Sequence, residues 1–228
     1  IAVVVLLSLL AGYLAGYVPF AKEKALLSHI NVGWLKTDYK TNNAKEQYLQ
    51  ALADRLSTAM EMPADIQVSV HYDDDPTINA MATLGGHIVV YQGLIDTLPN
   101  ENALAMVVAH EMAHIRHRHP IVAMGRGFAV MLALSSLAGV GDGMMQQWVG
   151  SMGMLSVLTF SRAQEEEADA DAIRAVYRSY GHVGGAAAFF EYIDEHASAL
   201  EMPQILSTHP DHAARIERIR KFEREHPG

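Results

Sequence analysis

The sequence predicts a helix-rich α+β fold with one small β-sheet, preceded by an N-terminal membrane helix. Three observations predict it. Residues 1–20 carry no charge, and apolar residues alternate with period two only between 66 and 91. From Asn100 onward helical patterns dominate. A chain of 228 residues, half of them apolar, is long enough for one domain with a real core and an appendage. Composition excludes several classes of function. Lys and Arg number 17 against 26 Asp and Glu, giving a formal net charge of −9 and a pI near 5.7, the wrong balance for a global nucleic-acid binder. There is no cysteine, hence no disulfide scaffold, thiolate metal site, iron–sulfur cluster or cysteine nucleophile. Histidines number 12, so any metal site here is built from imidazole and carboxylate.

Taken in order, residues 1–20 (IAVVVLLSLLAGYLAGYVPF) are expected to be a transmembrane anchor, with residues 21–228 forming the domain it carries. A helix of 20 residues covers roughly 30 Å, the thickness of a bilayer's hydrocarbon core. Ala11/Ala15 and Gly12/Gly16 give two overlapping pairs of small residues that permit close helix packing, and Tyr13 and Tyr17 suit an interfacial position. Pro19 and the charged run Lys22-Glu23-Lys24 mark the exit into water. A cleavable signal peptide and a buried core helix are the rival readings; no small-x-small cleavage site precedes the charges. Leu49, Leu52, Leu56 and Met60 recur at helical spacing, and Pro63 ends that stretch. Strands are expected at Ile66–Val70 and at His87–Tyr91, separated by the turn-forming Asp73-Asp-Asp-Pro76 and by Gly85-Gly86. Residues 128–140 (FAVMLALSSLAGV) are strongly apolar but stop at Gly141-Asp142-Gly143, short for a span, so a buried helical hairpin is expected.

The chemistry lies in residues 107–119, Val-Val-Ala-His-Glu-Met-Ala-His-Ile-Arg-His-Arg-His. His110-Glu111-x-x-His114 is an HExxH pattern. On a helix its two imidazoles sit one turn apart on one face and can share a zinc ion, while Glu111 stands beside that face as general base toward a metal-activated water. Asn100 is a suitable N-cap, Glu101 places negative charge in the first turn, and Pro120 is expected to end the run. A third protein ligand is required. The pattern HExxHxxGxxH fails, because His117 and Pro120 occupy the Gly and His positions and His119 comes one residue early. Residues 161–180 supply carboxylates instead, on a helix opened by a Ser161/Gln164 capping box and closed by Gly181.

Three consecutive glutamates compete. Glu165 continues through Ala168, Asp169, Ala172 and Val176, a small and apolar stripe suited to face the first helix. Glu167 continues through Asp171, Arg174 and Arg178, which reads as a solvated face, and Glu166 leads through Ala170 and Ile173 toward Tyr177. Glu165 is therefore expected to be the ligand, with Asp169 one turn on placed to accept the N–H of a ligand histidine.

HEMAH followed by Ser161-Arg-Ala-Gln-Glu165-Glu-Glu-Ala-Asp169 resembles the HtpX/CAAX prenyl protease family of membrane-associated zinc metallopeptidases, most nearly its single-anchor, BepA- and LoiP-like bacterial branch. The resemblance covers most of residues 60–220. It implies a gluzincin-type zincin domain whose small sheet flanks the active-site helix, one zinc per chain, a polypeptide substrate, and a bacterial inner-membrane anchor with the catalytic domain in the periplasm. The family's R-x-x-E-x-x-A-D element lands its ligand on Glu165. Asn79, Ala80, Gly85 and Gly86 match a substrate-flanking strand, and His209-Pro210 with Arg215 matches an H-P-x-x-x-x-R element in which the histidine stabilises the oxyanion and the arginine braces the site. One departure is the single clear span here, against several in multi-span members. Rival functions are a ferritin-like dimetal protein, for which Glu111-x-x-His114 and Glu223-x-x-His226 give two Glu-x-x-His copies, and a membrane-tethered, non-proteolytic binding or chaperone module with a metal site. The retained Glu111 opposes the latter, and no G-x-S-x-G supports a serine hydrolase.

Overall fold

In the computed structural model, residues 2–27, 44–138, 159–196, 209 and 212–227 are described. The run of small and apolar residues from Ala103 to Ala109, continued by Met112, Ala113 and Ile115, has its physical outcome at the centre of the molecule, where α5 (Glu101–Arg116) is buried from Ala103 to Ile115. Asn100 caps it, accepting from the Ala103 N–H at 2.9 Å, as expected of a residue whose side chain competes for the first free amide. Around it pack α3 (Ala44–Met60), contributing Leu49, Leu52, Leu56 and Met60, α7 (Arg162–Tyr180), contributing Ala168, Ala172 and Val176, and α8 (Ala188–His196), contributing Phe189 and Ile193. Ile219 of α9 (His212–Glu225) closes the same core. The capping box of α7 is present, and Gly181 ends that helix at φ 78°.

The sheet has the order β1-β3-β2. β1 (Ser69–Asp73) runs parallel to β3 (His87–Tyr91) with Ser69 opposite His87, and β2 (Ala80–Ala82) runs antiparallel to β3 with Ala80 opposite Val90. The first strand begins three residues later than its alternation suggests, at Ser69 rather than Ile66. Gly86 joins the 3-10 turn Leu84–Gly86 to β3 at φ 85°, and a Cβ there would stand 2.1 Å from the Gln67 carbonyl oxygen, so no side chain fits. The helix α4 (Gln92–Thr97) follows β3 directly.

The flanking helices depart from expectation at four points. The uncharged segment gives α1 (Ala2–Ala15), then a turn, Pro19 and α2 (Phe20–Leu27), bent by 109° from it, so no continuous helix covers residues 1–20. Among the described residues no single helix is long and apolar enough to cross a membrane, though α1 and α2 together pass that test by length and composition. Glu23 does not mark an exit into water. It is buried, accepting from the Gly85 N–H at 2.7 Å and from Arg118 Nη2 at 2.7 Å. Pro120 does not end the HExxH helix either: α5 stops at Arg116, Arg118 turns the chain at φ 61°, and Pro120 lies in the first turn of α6 (His119–Ala138), where a missing N–H costs nothing.

Nor is α6 buried beyond Ile121 along residues 122–133. It packs along α1, and Phe128 and Leu132 remain 41% and 44% exposed. The reason is the small-residue pattern of α1, whose partner is in the same chain: a Cβ on Gly125 would lie 2.8 Å from Ala15 Cβ and 3.0 Å from the Ala11 carbonyl oxygen, and one on Gly12 would meet Arg126 Cγ at 2.6 Å. The break expected at Gly141–Gly143 lies outside the described residues.

On the sheet, His71 Nε2 and His87 Nδ1 are 2.8 Å apart. Burial, then His71 and Lys24, push His87 down to about 4, and burial lowers His71. The native state therefore favours neutral rings while the unfolded chain protonates near the ordinary imidazole value. Stability is complete above about pH 6.5 and falls as pH drops toward the folded-state value. A His87→Gln variant should lose about 2 kcal/mol of the wild-type decline between pH 6.5 and pH 4. Urea melts across that range would show it, and identical slopes would refute it.

Candidate metal centre

Helical spacing brings His110 and His114 onto one face of α5, where their Nε2 atoms lie 3.0 Å apart. The opposing face of α7 delivers Glu165, with Oε2 3.3 Å from His110 Nε2 and Oε1 3.5 Å from His114 Nε2. His209 completes the group, its Nδ1 3.0 Å from Glu165 Oε1 and 3.2 Å from His110 Nε2. All four are buried, and one ligand atom from each falls within 4.8 Å of the others. Among the described residues this is the one such group of three or more.

The outer atoms of each candidate ligand are also held. His110 Nδ1 lies 2.9 Å from Asp169 Oδ1, one turn along α7 from Glu165. Arg215, buried in α9, donates from Nη2 to Glu165 Oε2 at 2.5 Å and from Nε to Asp169 Oδ1 at 2.5 Å, with its guanidinium over the Phe190 ring. Arg218 Nη2 donates to Asp169 Oδ2 at 2.6 Å. Burial by itself would raise both carboxyls. At Glu165 the bonds to His110 and His209 outweigh it and hold the group well below the usual carboxylate range. At Asp169, His110 and Arg215 bring it down to about 2. His114 moves the other way: burial, then His110 and His209, drive it far below the imidazole range, leaving the neutral ring that binds metals.

The donor set fits a divalent cation. His110 Nε2 and His114 Nε2 converge 3.0 Å apart with a Glu165 oxygen near each, so three side chains gather donor atoms in one small buried volume. Two nitrogens and a carboxylate oxygen are also the donors zinc takes in catalytic sites. Glu111 stands at the rim. Its Oε2 accepts from the Ala82 N–H at 2.8 Å, on the side of β2 turned away from β3, and its Oε1 is 3.5 Å from His209 Nε2. Asn79 and Ala80 are buried in the same strand region, and the Asn79 carbonyl accepts from the Tyr91 N–H. Gly85 and Gly86 serve the α2 side of the sheet, bonded to Glu23 and pressed on Gln67, rather than the histidine cluster.

Of the three glutamates, Glu165 is the one that lies in the cluster, and the opposite face of α7 departs from expectation. Asp171 is buried rather than solvated, because the C-terminal end of α5 covers it: Arg116 Nη1 and His117 Nε2 approach at 2.9 and 2.8 Å, and Arg174 pairs with it from its own helix. Glu167, half exposed, lies 3.3 Å from both His117 Nδ1 and His119 Nε2. Sequence reasoning also missed Phe160, stacked on the His114 ring at 4.0 Å, and His119, whose Nδ1 is 2.8 Å from His114 Nδ1. Burial, then His117, pushes His119 down to about 3. The one signal available for it was the dense His114-x-x-His117-x-His119 spacing itself.

Comparison with known proteins agrees with this geometry. The model of Peptidase family M48 matches residues 43–223. Mitochondrial metalloendopeptidase OMA1 of Schizosaccharomyces pombe is 29% identical over 180 residues, covering 77% of this chain and 52% of that protein. The beta-barrel assembly-enhancing protease of Escherichia coli is 30% identical over 179 residues, covering 72% of this chain and 36% of its own length. Human OMA1 is 24% identical over 183 residues, 74% of this chain and 35% of that protein. The chain thus spans about half or less of the length of these curated relatives.

Glu165→Gln should lose its metal on dialysis, since it removes the one anionic donor of the group. Glu167→Gln should retain it, because the amide oxygen still accepts from His119 and water reaches this half-exposed position. Atomic absorption on the two proteins distinguishes them; the reverse result would move the ligand to Glu167.

Proposed function

Because the chain belongs to peptidase family M48, we propose that it is a zinc endopeptidase that uses His110, His114 and Glu165 to hold one metal ion and Glu111 as general base. The observation that carries the proposal is the Glu111 carboxylate, buried beside the cluster and fixed by the Ala82 N–H while its second oxygen faces His209. A zinc ion bound there would supply Lewis acidity toward the scissile carbonyl and toward the attacking water. The protein's own residues do the rest. Glu111 takes the proton from the attacking water and delivers it to the leaving amine as the C–N bond breaks. His209, within the cluster, stabilises charge on the former carbonyl oxygen, and Arg215 braces Glu165 and Asp169 so that neither carboxylate can rotate away. An extended polypeptide substrate lies along the outward edge of β2 near Asn79 and Ala80; Gly85 and Gly86 contribute by shaping the turn into β3.

The setting we propose is a membrane surface, with residues 1–20 as anchor, 21–228 as peptidase domain, and the domain in the bacterial periplasm, acting on misfolded envelope proteins as a single-anchor, BepA-like protease. Support comes from the exposed side chains of α1, among them Val3, Leu6, Leu9 and Leu14, continued by Phe128 and Leu132 of α6, and from the bacterial relatives. Among soluble folds so large an exposed apolar face is unusual.

Two measurements test these readings. Glu111→Gln should retain stoichiometric zinc yet lose casein hydrolysis by several orders of magnitude, and the wild type should be silenced by a chelator; full turnover in the pure variant would end the mechanism. The whole chain should sediment with phospholipid vesicles while a chain beginning at Lys22 stays in the supernatant. Equal sedimentation would assign the membrane contact to α6 instead.

A further inference from the structure

The ion-pair network accounts for the outer nitrogen of His110, but the outer nitrogen of His114 meets no carboxylate. It meets another imidazole: His114 Nδ1 and His119 Nδ1 are 2.8 Å apart, both rings buried, and His119 Nε2 lies 3.3 Å from Glu167 Oε2. The assignment of protons along this line is fixed at both ends. Resting on the proposed zinc site, His114 Nε2 is a lone pair, so the neutral ring carries its proton on Nδ1 and donates it. His119 Nδ1 must then accept, which places the His119 proton on Nε2, pointing at a carboxylate oxygen. Every N–H has an acceptor. In the reverse order Glu167 would face a lone pair, and two N–H groups or two lone pairs would collide at 2.8 Å.

We infer that His119 is a positioning residue that fixes the tautomer and ring orientation of the ligand His114, with Glu167 as the terminal acceptor of the chain. Local structure supports it. Arg118 at φ 61° reverses the chain directly after α5, and its guanidinium is tied to Glu23 and to the Val18 carbonyl, so the first residue of α6 is turned back against the His114 ring. Phe160 stacks on one face of that ring, with centroids 4.0 Å apart. With one face stacked and its outer nitrogen bonded, the imidazole has a single orientation in which Nε2 meets Glu165 and His110. Groups that orient metal-binding histidines in this way typically contribute 10–100-fold in metal affinity.

The test measures zinc affinity of the whole chain by chelator competition, together with imidazole ¹⁵N shifts. His119→Phe, which fills the space without an acceptor, should bind zinc 10–100-fold more weakly. His119→Asn, whose Oδ1 replaces the accepting Nδ1, should return to within about threefold of wild type. The zinc-loaded wild type should show the proton of His114 on Nδ1 and that of His119 on Nε2. Wild-type affinity in His119→Phe overturns the inference and leaves the zinc site standing, as does an Asn variant no tighter than Phe. A wild-type chain that binds no zinc overturns the proposed function as well. Should the Phe variant fail to fold, the ¹⁵N spectrum decides: a His119 proton on Nδ1 sinks the idea.

Discussion

Everything in this molecule depends on the burial of α5 from Ala103 to Ile115. A helix enclosed on all sides normally carries apolar residues alone, yet this one places His110, Glu111 and His114 in its buried stretch. Each of their polar atoms then requires a partner drawn from somewhere else in the chain, and that requirement organises the neighbours. The edge of β2 lends an amide to Glu111, α7 turns Glu165 and Asp169 inward, and the corner after α5 returns His119 to His114. Desolvation that would be destabilising without such partners becomes, with them, the low-dielectric setting in which hydrogen bonds and charge pairs are strongest.

The same logic explains the C-terminal helix. Glu111, Glu165 and Asp169 are three buried carboxylates in one place, and two of them gain the same guanidinium. Arg suits this position better than Lys, because its fork reaches two acceptors at once and its flat face lies on Phe190. Arg218 repeats the device at the rim for the second oxygen of Asp169. Removing one member of such a set leaves an uncompensated buried charge, so the ion pairs contribute specificity of arrangement more than net stability.

Much of the centre was legible in the sequence because it obeys local rules. HExxH needs only the pitch of a helix, the Ser161/Gln164 box and Gly181 are chemistry of helix ends, and the small residues beside Glu165 identify the buried side of α7. What escaped was set by packing between distant segments. Asp171 shares its stripe with two arginines and reads as solvated, but Arg116 and His117 arrive over it from α5. Pro120 is ambiguous by nature, ending one helix or opening the next; Arg118 in the left-handed region decided for the latter. The small residues of α1 predict close packing without saying with what, and the answer is Gly125 of α6 rather than another chain. His209 and Arg215 carry no local signature at all, and only the resemblance singled them out.

Arg215 has a consequence for the order in which the chain becomes competent. Synthesis runs from the N-terminus, and HExxH, the β2 edge and the Glu165 helix all emerge before the residue that neutralises them. Until α9 arrives, Glu165 and Asp169 have His110 but lack the guanidinium that pins both, and the buried centre is short of positive charge. A nascent chain, or one clipped before residue 215, therefore holds its hydrolytic groups without the clamp that aligns them. Alignment of the hydrolytic groups thus depends on an arginine 50 residues beyond Glu165 along the chain.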